Sequence, residues 1–508
     1  MKFSDNDGVT QPQLAIGQIN IRSAWTKTGL RLGLVVIVSV FVGLAVIIST
    51  YHVANVKLLI GLVGGLAFVF FIMRWPEFGI LSLVALVSGL ISLSWLPLLH
   101  LGPISLNISD AILFLLLAFV FLRATTQPDF KLYGSPLILP LFLFIGAFIL
   151  SAANAILIYG VGFNTVLRTL RVLILWIVFI PTLQLVRAEQ ALRRLLLGLL
   201  ILTVVLLVGV LFPNRFSPLL PVEETAYGTG TQTYTGFTRI YYAGDMVLYA
   251  MIPVTVASLA MIKKGNQLWR IGLLGLLLFW AFRTGFRQYW LTLFIVCLLL
   301  WVFLSSSERM RLLRRMVPAL VVSLLLFGTL IAAQPTQVER VVYILTDRVG
   351  SLLKNPLKRE ASLQWRVIET RYALIQINRH PVFGIGLGNS YRPPMESEAG
   401  GTTFTDWTNK YIENGYLYIV LMMGLVGLIP FLWLCIAYLL RVFRNQHKIR
   451  DNDLRAVFLG FGASFLGMVA CNIASPTFVI GTRLIFFPLA MAINEIILRL
   501  EKDEGAHI

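Results

Sequence analysis

Along most of the chain apolar residues run together in blocks instead of alternating with polar ones. LGLVVIVSVFVGLAVIIST from residue 32, PLILPLFLFIGAFIL (136–150) and LLLGLLILTVVLLVGVLF (195–212) set the pattern. At about 1.5 Å of rise per residue, such blocks reach or nearly reach across a hydrocarbon layer about 30 Å thick. Hydropathy predicts spans near 32–50, 58–73, 79–99, 108–122, 136–158, 166–186, 195–213, 245–262, 270–283, 288–305, 317–333, 413–440, 454–474 and 480–498. The blocks at 58–73 and 270–283 are short enough to be re-entrant, so the expectation is an all-α polytopic membrane protein with about 12–14 transmembrane helices.

Composition agrees, since 57% of the 508 residues are hydrophobic, 13% are charged and the mean hydropathy is +0.82. These values exclude a soluble globular protein. The net charge of +18 raises the question of nucleic acid, and its distribution answers it. With a cytoplasmic N-terminus, the inside loops include RATTQPDFK (123–131), RAEQALRR (187–194), KKGNQLWR (263–270), SERMRLLRR (307–315) and RVFRNQHKIRDNDLR (441–455). Short basic loops on one side obey the positive-inside rule and point to no nucleic-acid partner.

The domain expectation follows: a cytoplasmic tail (1–31), a bundle (32–333) with an outer loop at 214–244, a large outer loop (334–411), C-terminal membrane helices (412–498) and a cytoplasmic tail (499–508). The polar start lacks a short apolar core with a cleavage site, so the first span is expected to be uncleaved. The cysteines (Cys297, Cys435, Cys471) lie in apolar runs and the histidines His52, His100, His447 and His507 are scattered. Neither pattern suggests a metal.

Orientation makes some charges informative. Arg168, Arg171, Arg283 and Arg287 fall at outer ends of spans, Arg239 closes the 214–244 loop and Arg483 begins the last span. Arg340, Arg348, Arg366, Arg371, Arg379 and Arg392 lie in the large loop. Guanidinium groups there either hold an anion such as a diphosphate through paired hydrogen bonds, or snorkel and pair with Glu223, Glu224, Asp245, Glu369 or Glu396. Within that loop QWRVIETRYALIQI reads as an amphipathic helix over the bundle, with Trp365, Ile368, Tyr372 and Ile375 as its apolar stripe and Arg366 and Glu369 off it. GIGLG (384–388) lacks the strand and lysine of a nucleotide loop and reads as a tight turn for close backbone packing. His380 is either a base or a packed imidazole. Tyr227, Tyr234, Phe237, Tyr241 and Tyr242 are either a sugar-stacking surface or an interfacial belt. Asp245 and Asp406 are secondary carboxylate candidates, each fitting a cap or an ion-pair partner. Glu413 in KYIENGYLYIV opens a span and is either an anchor or a reactive group.

HPVFGIGLGNSY (380–391), ENGYLYIVLMMGLVGLIPFLWL (413–434) and FRTGFRQYWLTL (282–293) together resemble the O-antigen ligase and Wzy-type polymerase superfamily over roughly residues 160–440. Phe286-Arg287 stands where that family usually has Ser-Arg. The resemblance implies a GT-C-like glycosyltransferase of the bacterial inner membrane with its active site facing the periplasm, acting without metal or cofactor. Its donor would be a glycan on undecaprenyl diphosphate and its acceptor a hydroxyl of a glycan or lipid; a polymerase would also have a chain-length regulator as partner. By the same resemblance Arg287 and Arg366 hold the diphosphate, joined by Arg168, Arg171 and Arg283 from the charge argument. His380, Tyr391 and Asn414 are supporting candidates. Glu413 takes the position where many ligases have a histidine base, and this departure favours a polymerase or another branch over a lipid A ligase. A lipid-linked oligosaccharide flippase is the alternative, and it calls for ionisable groups near the bilayer midplane.

Overall fold

The computed structural model of the protein describes residues 56–90, 99–101, 104–211, 231–234, 237–240, 244–263, 265–284, 287–333, 361–393, 408–479 and 481–505. The expected span at 32–50 lies outside them. The chain divides into a small unit, which includes Phe121–Lys131, and a large one of Ile72–Val120 and Leu132–Ile508. In the large unit the 361–393 part of the predicted outer loop belongs to the same compact body as the bundle.

The helices are α1 (Val56–Arg74), α2 (Pro76–Val87), α3 (Ile108–Thr126), α4 (Ile138–Leu157), α5 (Phe163–Leu173), α6 (Phe179–Leu185), α7 (Glu189–Leu211), α8 (Asp245–Met261), α9 (Leu268–Arg283), α10 (Arg287–Phe303), α11 (Ser306–Ala333), α12 (Ala361–Arg379), α13 (Gly415–Asn445), α14 (Asn452–Cys471), α15 (Gly481–Leu484) and α16 (Phe486–Gly505). A 3-10 turn joins α5 to α6, making one helical segment over Phe163–Leu185. Among the described residues six helices are long and apolar enough to cross a membrane, and shorter apolar helices accompany them. The protein is therefore an all-α multi-pass membrane protein. Its connections carry two small ribbons that hydropathy did not flag, Leu99–Leu101 paired with Ile104–Leu106 and Thr231–Tyr234 paired with Phe237–Ile240. Tyr234 faces Phe237 in the second ribbon; Tyr227, Tyr241 and Tyr242 of that aromatic cluster lie outside the described residues. The block expected at 79–99 is helical only as far as Val87, within the described residues.

The bundle centres on α8, which is buried along nearly its whole length, as a helix apolar on every side must be. Lipid supplies no hydrophobic drive between helices, so close contact has to come from small residues and interhelical hydrogen bonds. The LGFGASFLG run of α14 provides both. A Cβ on Gly460 would come within 2.4 Å of the Val254 backbone, and one on Gly467 within 2.5 Å of the Tyr249 hydroxyl. Ser464 Oγ donates to the Ala250 carbonyl at 2.9 Å. At one end of the bundle the basic loops are tied together by Arg193–Asp451 (2.6 Å), Arg194–Glu77 (2.5 Å), Arg455–Glu308 (3.2 Å) and Arg441–Glu495.

The expected single span at 413–440 is instead two helical stretches that meet at Gly424, whose φ of 64° and ψ of −160° leave the helical region. An uninterrupted helix would bond Leu425 N–H to the Leu421 carbonyl and Val426 N–H to the Met422 carbonyl. Here the loop after α12 enters the opening. Leu425 N donates to Pro381 O (2.9 Å) and Val426 N to Val382 O (3.2 Å), while Ile385 N donates to Leu421 O (2.9 Å) and Gly386 N to Met422 O (3.1 Å). Ser151 Oγ adds a bond to Met422 O at 2.6 Å and Asn154 Nδ2 one to Gly384 O at 3.2 Å. GIGLG is thus the tight turn its glycines suggested: Gly384 and Gly386 adopt positive φ, and a Cβ on either would lie 2.6–2.7 Å from neighbouring backbone.

The Gly424→Ala variant is expected to lose most of its monodisperse population in detergent, because its Cβ would lie 2.1 Å from the Val382 carbonyl oxygen and left-handed backbone adds about 1–2 kcal/mol of strain. Gly146→Ala, with open space around its Cβ, should run as wild type. Size-exclusion profiles after graded heating compare the two.

Candidate functional site

Because the loop is seated in α13, the helix before it, α12, has a fixed direction. Its outcome differs from the sequence expectation. Of the predicted apolar stripe, Trp365 and Tyr372 are half-buried but Ile368 and Ile375 are 37% and 42% exposed, while Glu369 is 3% and Ala373 0% exposed. The face turned to the body is the one carrying Arg366 and Glu369. Polar pairing explains the inversion: both side chains find partners in the segment that opens α13, and charges satisfied in this way can take the buried side.

Arg366 Nε donates to Glu413 Oε2, and Arg366 Nη2 donates to the Ala474 carbonyl at 3.1 Å. The two side chains remain 35% and 28% exposed, so the pair can be reached from outside. Glu413 N–H in turn donates to Glu369 Oε2 at 3.3 Å. Asn414 is the N-cap of α13, its Oδ1 accepting from Tyr416 N (3.0 Å) and Leu417 N (3.1 Å). Gly415 N donates to Asn472 O at 2.8 Å, tying this start to the end of α14.

Beneath the pair lies a buried layer. Arg392, 4% exposed, stands 4.6 Å above the Trp365 ring and 5.8 Å from the Tyr391 ring, and Tyr391 donates its hydroxyl proton to Tyr411 O at 3.0 Å. Burial, with the negative charge of Glu413 adding to it, pushes the Glu369 carboxyl up to about 7, against the pull of the Glu413 N–H and Arg392. Burial, together with the neighbouring Glu369, also raises Tyr391.

The other candidates are distributed around this cluster. Arg171 pairs with Asp110 at 2.8 Å, a partner absent from the carboxylates considered in the sequence, so its charge is already met within the protein. Arg168 is exposed and has no ion-pair partner among the described residues. Arg283 ends α9 and Arg287 starts α10. Arg340, Arg348 and Asp406 lie outside the described residues. His380 bonds through Nδ1 to the Tyr159 hydroxyl at 3.1 Å, with the rings edge to face. Fourteen residues at 1.5 Å each put it roughly 21 Å along the helix from Arg366, so it serves the loop junction and does not join the Arg366–Glu413 pair. Asp245 is the ion-pair partner it was read as. It meets Arg483 at 3.0 Å and accepts from Tyr289 Oη at 2.7 Å, and Arg483 reaches Ser475 Oγ at 3.1 Å, all four residues being buried.

Fold and site together define a polytopic membrane protein with a reachable arginine–carboxylate pair at one end of its bundle. Residues 272–432 match the family model described as O-Antigen ligase; this segment is similar to the O-antigen ligase and Wzy-type superfamily. The matched stretch contains Arg287, Arg366, the inserted loop, Glu413 and the break at Gly424. Comparison with curated proteins returns no match.

Removing Asp245 takes the carboxylate away from Arg483 in the interior, a change that destabilises by about 3–5 kcal/mol. Asp245→Ala should therefore melt well below wild type in detergent, as followed by intrinsic fluorescence, whereas Arg168→Ala should not.

Proposed function

We propose that the chain is a glycosyltransferase that moves a glycan from undecaprenyl diphosphate to an acceptor hydroxyl at the periplasmic face of the bacterial inner membrane. The observation that carries this reading is the half-buried, solvent-reachable Arg366–Glu413 pair inside the segment matching the O-antigen ligase model. The positive-inside rule supports a periplasmic orientation, since the short Lys/Arg-rich loops fall on the side opposite the large loop in the topology read from the sequence.

A diphosphate presents two anionic groups whose geometry suits a guanidinium better than a single carboxylate does. On binding it takes Arg366 from Glu413, with Arg287 as the second arginine. The released carboxylate then faces the acceptor. The acceptor oxygen attacks the anomeric carbon opposite the diphosphate; the bond to the diphosphate oxygen breaks with its electron pair, and the hydroxyl proton passes to Glu413. Configuration inverts and no covalent enzyme intermediate forms. Arg287 and Arg366 act by stabilising the charge that develops on the leaving group, and Glu413 by removing the proton as the bond forms. Glutamate in place of the family's histidine favours repeated glycan addition over transfer to lipid A.

The test is reaction of purified protein in nanodiscs with a synthetic undecaprenyl-diphosphate oligosaccharide, scoring chain extension against transfer to an unrelated lipid acceptor. Arg366→Ala and Arg287→Ala should each lower kcat by about 100-fold or more, and Glu413→Gln by a factor on the order of 10²–10⁴, with unchanged monodispersity. Wild-type product from both arginine variants sinks the assignment, and transport of the donor without transfer would replace it with a flippase.

A further inference from the structure

The proposed exchange at Arg366 requires the Glu413 side chain to move while its main chain stays in place. The residue after Glu413, Asn414, is fixed as the cap of α13, its Oδ1 accepting from Tyr416 N and Leu417 N. The N–H of Glu413 itself, standing just ahead of that cap, is held by Glu369 Oε2 at 3.3 Å. Glu369 reaches it from the buried face of α12, one turn along from Arg366, and at 3% exposure it is closed to substrate. We propose that Glu369 is a positioning residue of this site, its carboxylate holding the Glu413 main chain so that the Glu413 side chain alone swings between Arg366 and the acceptor. This inference rests on Glu413 being the base.

The hold depends on charge. An ionised carboxylate accepts an N–H about twice as strongly as a neutral one. Among the described residues the charged and titratable groups that act on Glu369 are Glu413 from the start of α13 and Arg392 and Tyr391 from the loop after α12, and Arg366 from α12 itself is paired with Glu413. Burial and the Glu413 charge outweigh Arg392 and bring the Glu369 carboxyl to about 7. Above that pH Glu369 is ionised and grips residue 413; below it Glu369 is protonated and the grip loosens. Turnover is therefore expected to rise with pH through neutrality.

The experiment measures kcat and KM of the full-length protein in nanodiscs from pH 6 to 8.5, with the synthetic undecaprenyl-diphosphate oligosaccharide as donor, for wild type, Glu369→Gln, Glu369→Asp, His380→Ala and Glu413→Gln. The wild type should show a limb near pH 7 in kcat. Glu369→Gln, a neutral acceptor at every pH, should lose that limb and run about tenfold below wild type at pH 8, matching wild type at pH 6, with KM for the donor within twofold. Glu369→Asp, which keeps the charge on a shorter arm, should keep a limb at reduced kcat and decides the matter if the Gln variant does not fold. His380→Ala should keep the limb. A limb that persists in Glu369→Gln, is missing from Glu369→Asp or disappears in His380→Ala overturns the inference. Full activity in Glu413→Gln overturns the base assignment instead, and an inactive Glu413→Gln beside an unaltered Glu369→Gln removes the positioning role alone.

Discussion

The constraint on which the rest depends is the opening of α13 at Gly424. In a span surrounded by lipid every backbone N–H and carbonyl must find a partner within the protein. Two helical bonds are lost at the break, and four bonds to residues 381–386 take their place, one for each group set free. The exchange is reciprocal: the loop's own N–H groups and carbonyls, which would otherwise be unsatisfied beside an apolar helix, are met by the same opening. Neither the broken helix nor the loop is stable at this depth without the other.

This mutual need gives the site its rigidity. The inserted loop is the direct continuation of α12, and α13 begins immediately after Glu413–Asn414, so a single backbone junction sets both the helix bearing Arg366 and Glu369 and the helix start bearing Glu413. The family-like block with its closely spaced glycines therefore acts on the site from a distance. Its glycines let the loop bond to Leu421 and Met422 and pack against Ala155, and the arginine and carboxylates come into register as a result. His380, within that block, stabilises the junction through Tyr159 and has no direct part in the pair.

Much of this was legible in the sequence, and the omissions share a cause. Apolar blocks revealed the spans, the basic loops revealed one end of the bundle, and the motif blocks singled out Arg366 and Glu413. The orientation of α12 was misread because periodicity assumes that the buried face is the apolar one, whereas charge pairing buries Glu369 and leaves Ile368 and Ile375 outside. Asp110 as the partner of Arg171 was missed because hydropathy locates the ends of spans without saying which ends are neighbours. The break at Gly424 was hidden inside an unbroken apolar run; a glycine there is ordinary for a membrane helix, and only its contact with residues 381–386 distinguishes it. What single-sequence reasoning lacks is the pairing between segments, and in this protein that pairing is what brings Arg366, Glu369 and Glu413 together.

The ion pairs then separate by burial into two kinds with different consequences. Asp245–Arg483 is shut away, with side chains 6% and 7% exposed, and at the opposite end Glu77 and Glu495 are 1% and 4% exposed beneath their arginines. Such pairs cannot lose a partner without leaving a charge stranded, so they lock helices and loops in place. Arg366–Glu413 lies at 35% and 28% exposure, where water screens the attraction and a pair contributes only about 0–1 kcal/mol. In the proposed reaction a diphosphate would therefore have little to displace, and Glu413 would stay anchored through its main-chain N–H. Pairs with a buried carboxylate hold the framework, whereas Arg366–Glu413, like Arg193–Asp451 among the basic loops, is open enough to exchange partners; of these two, only Arg366–Glu413 lies beside the buried Glu369 and Arg392.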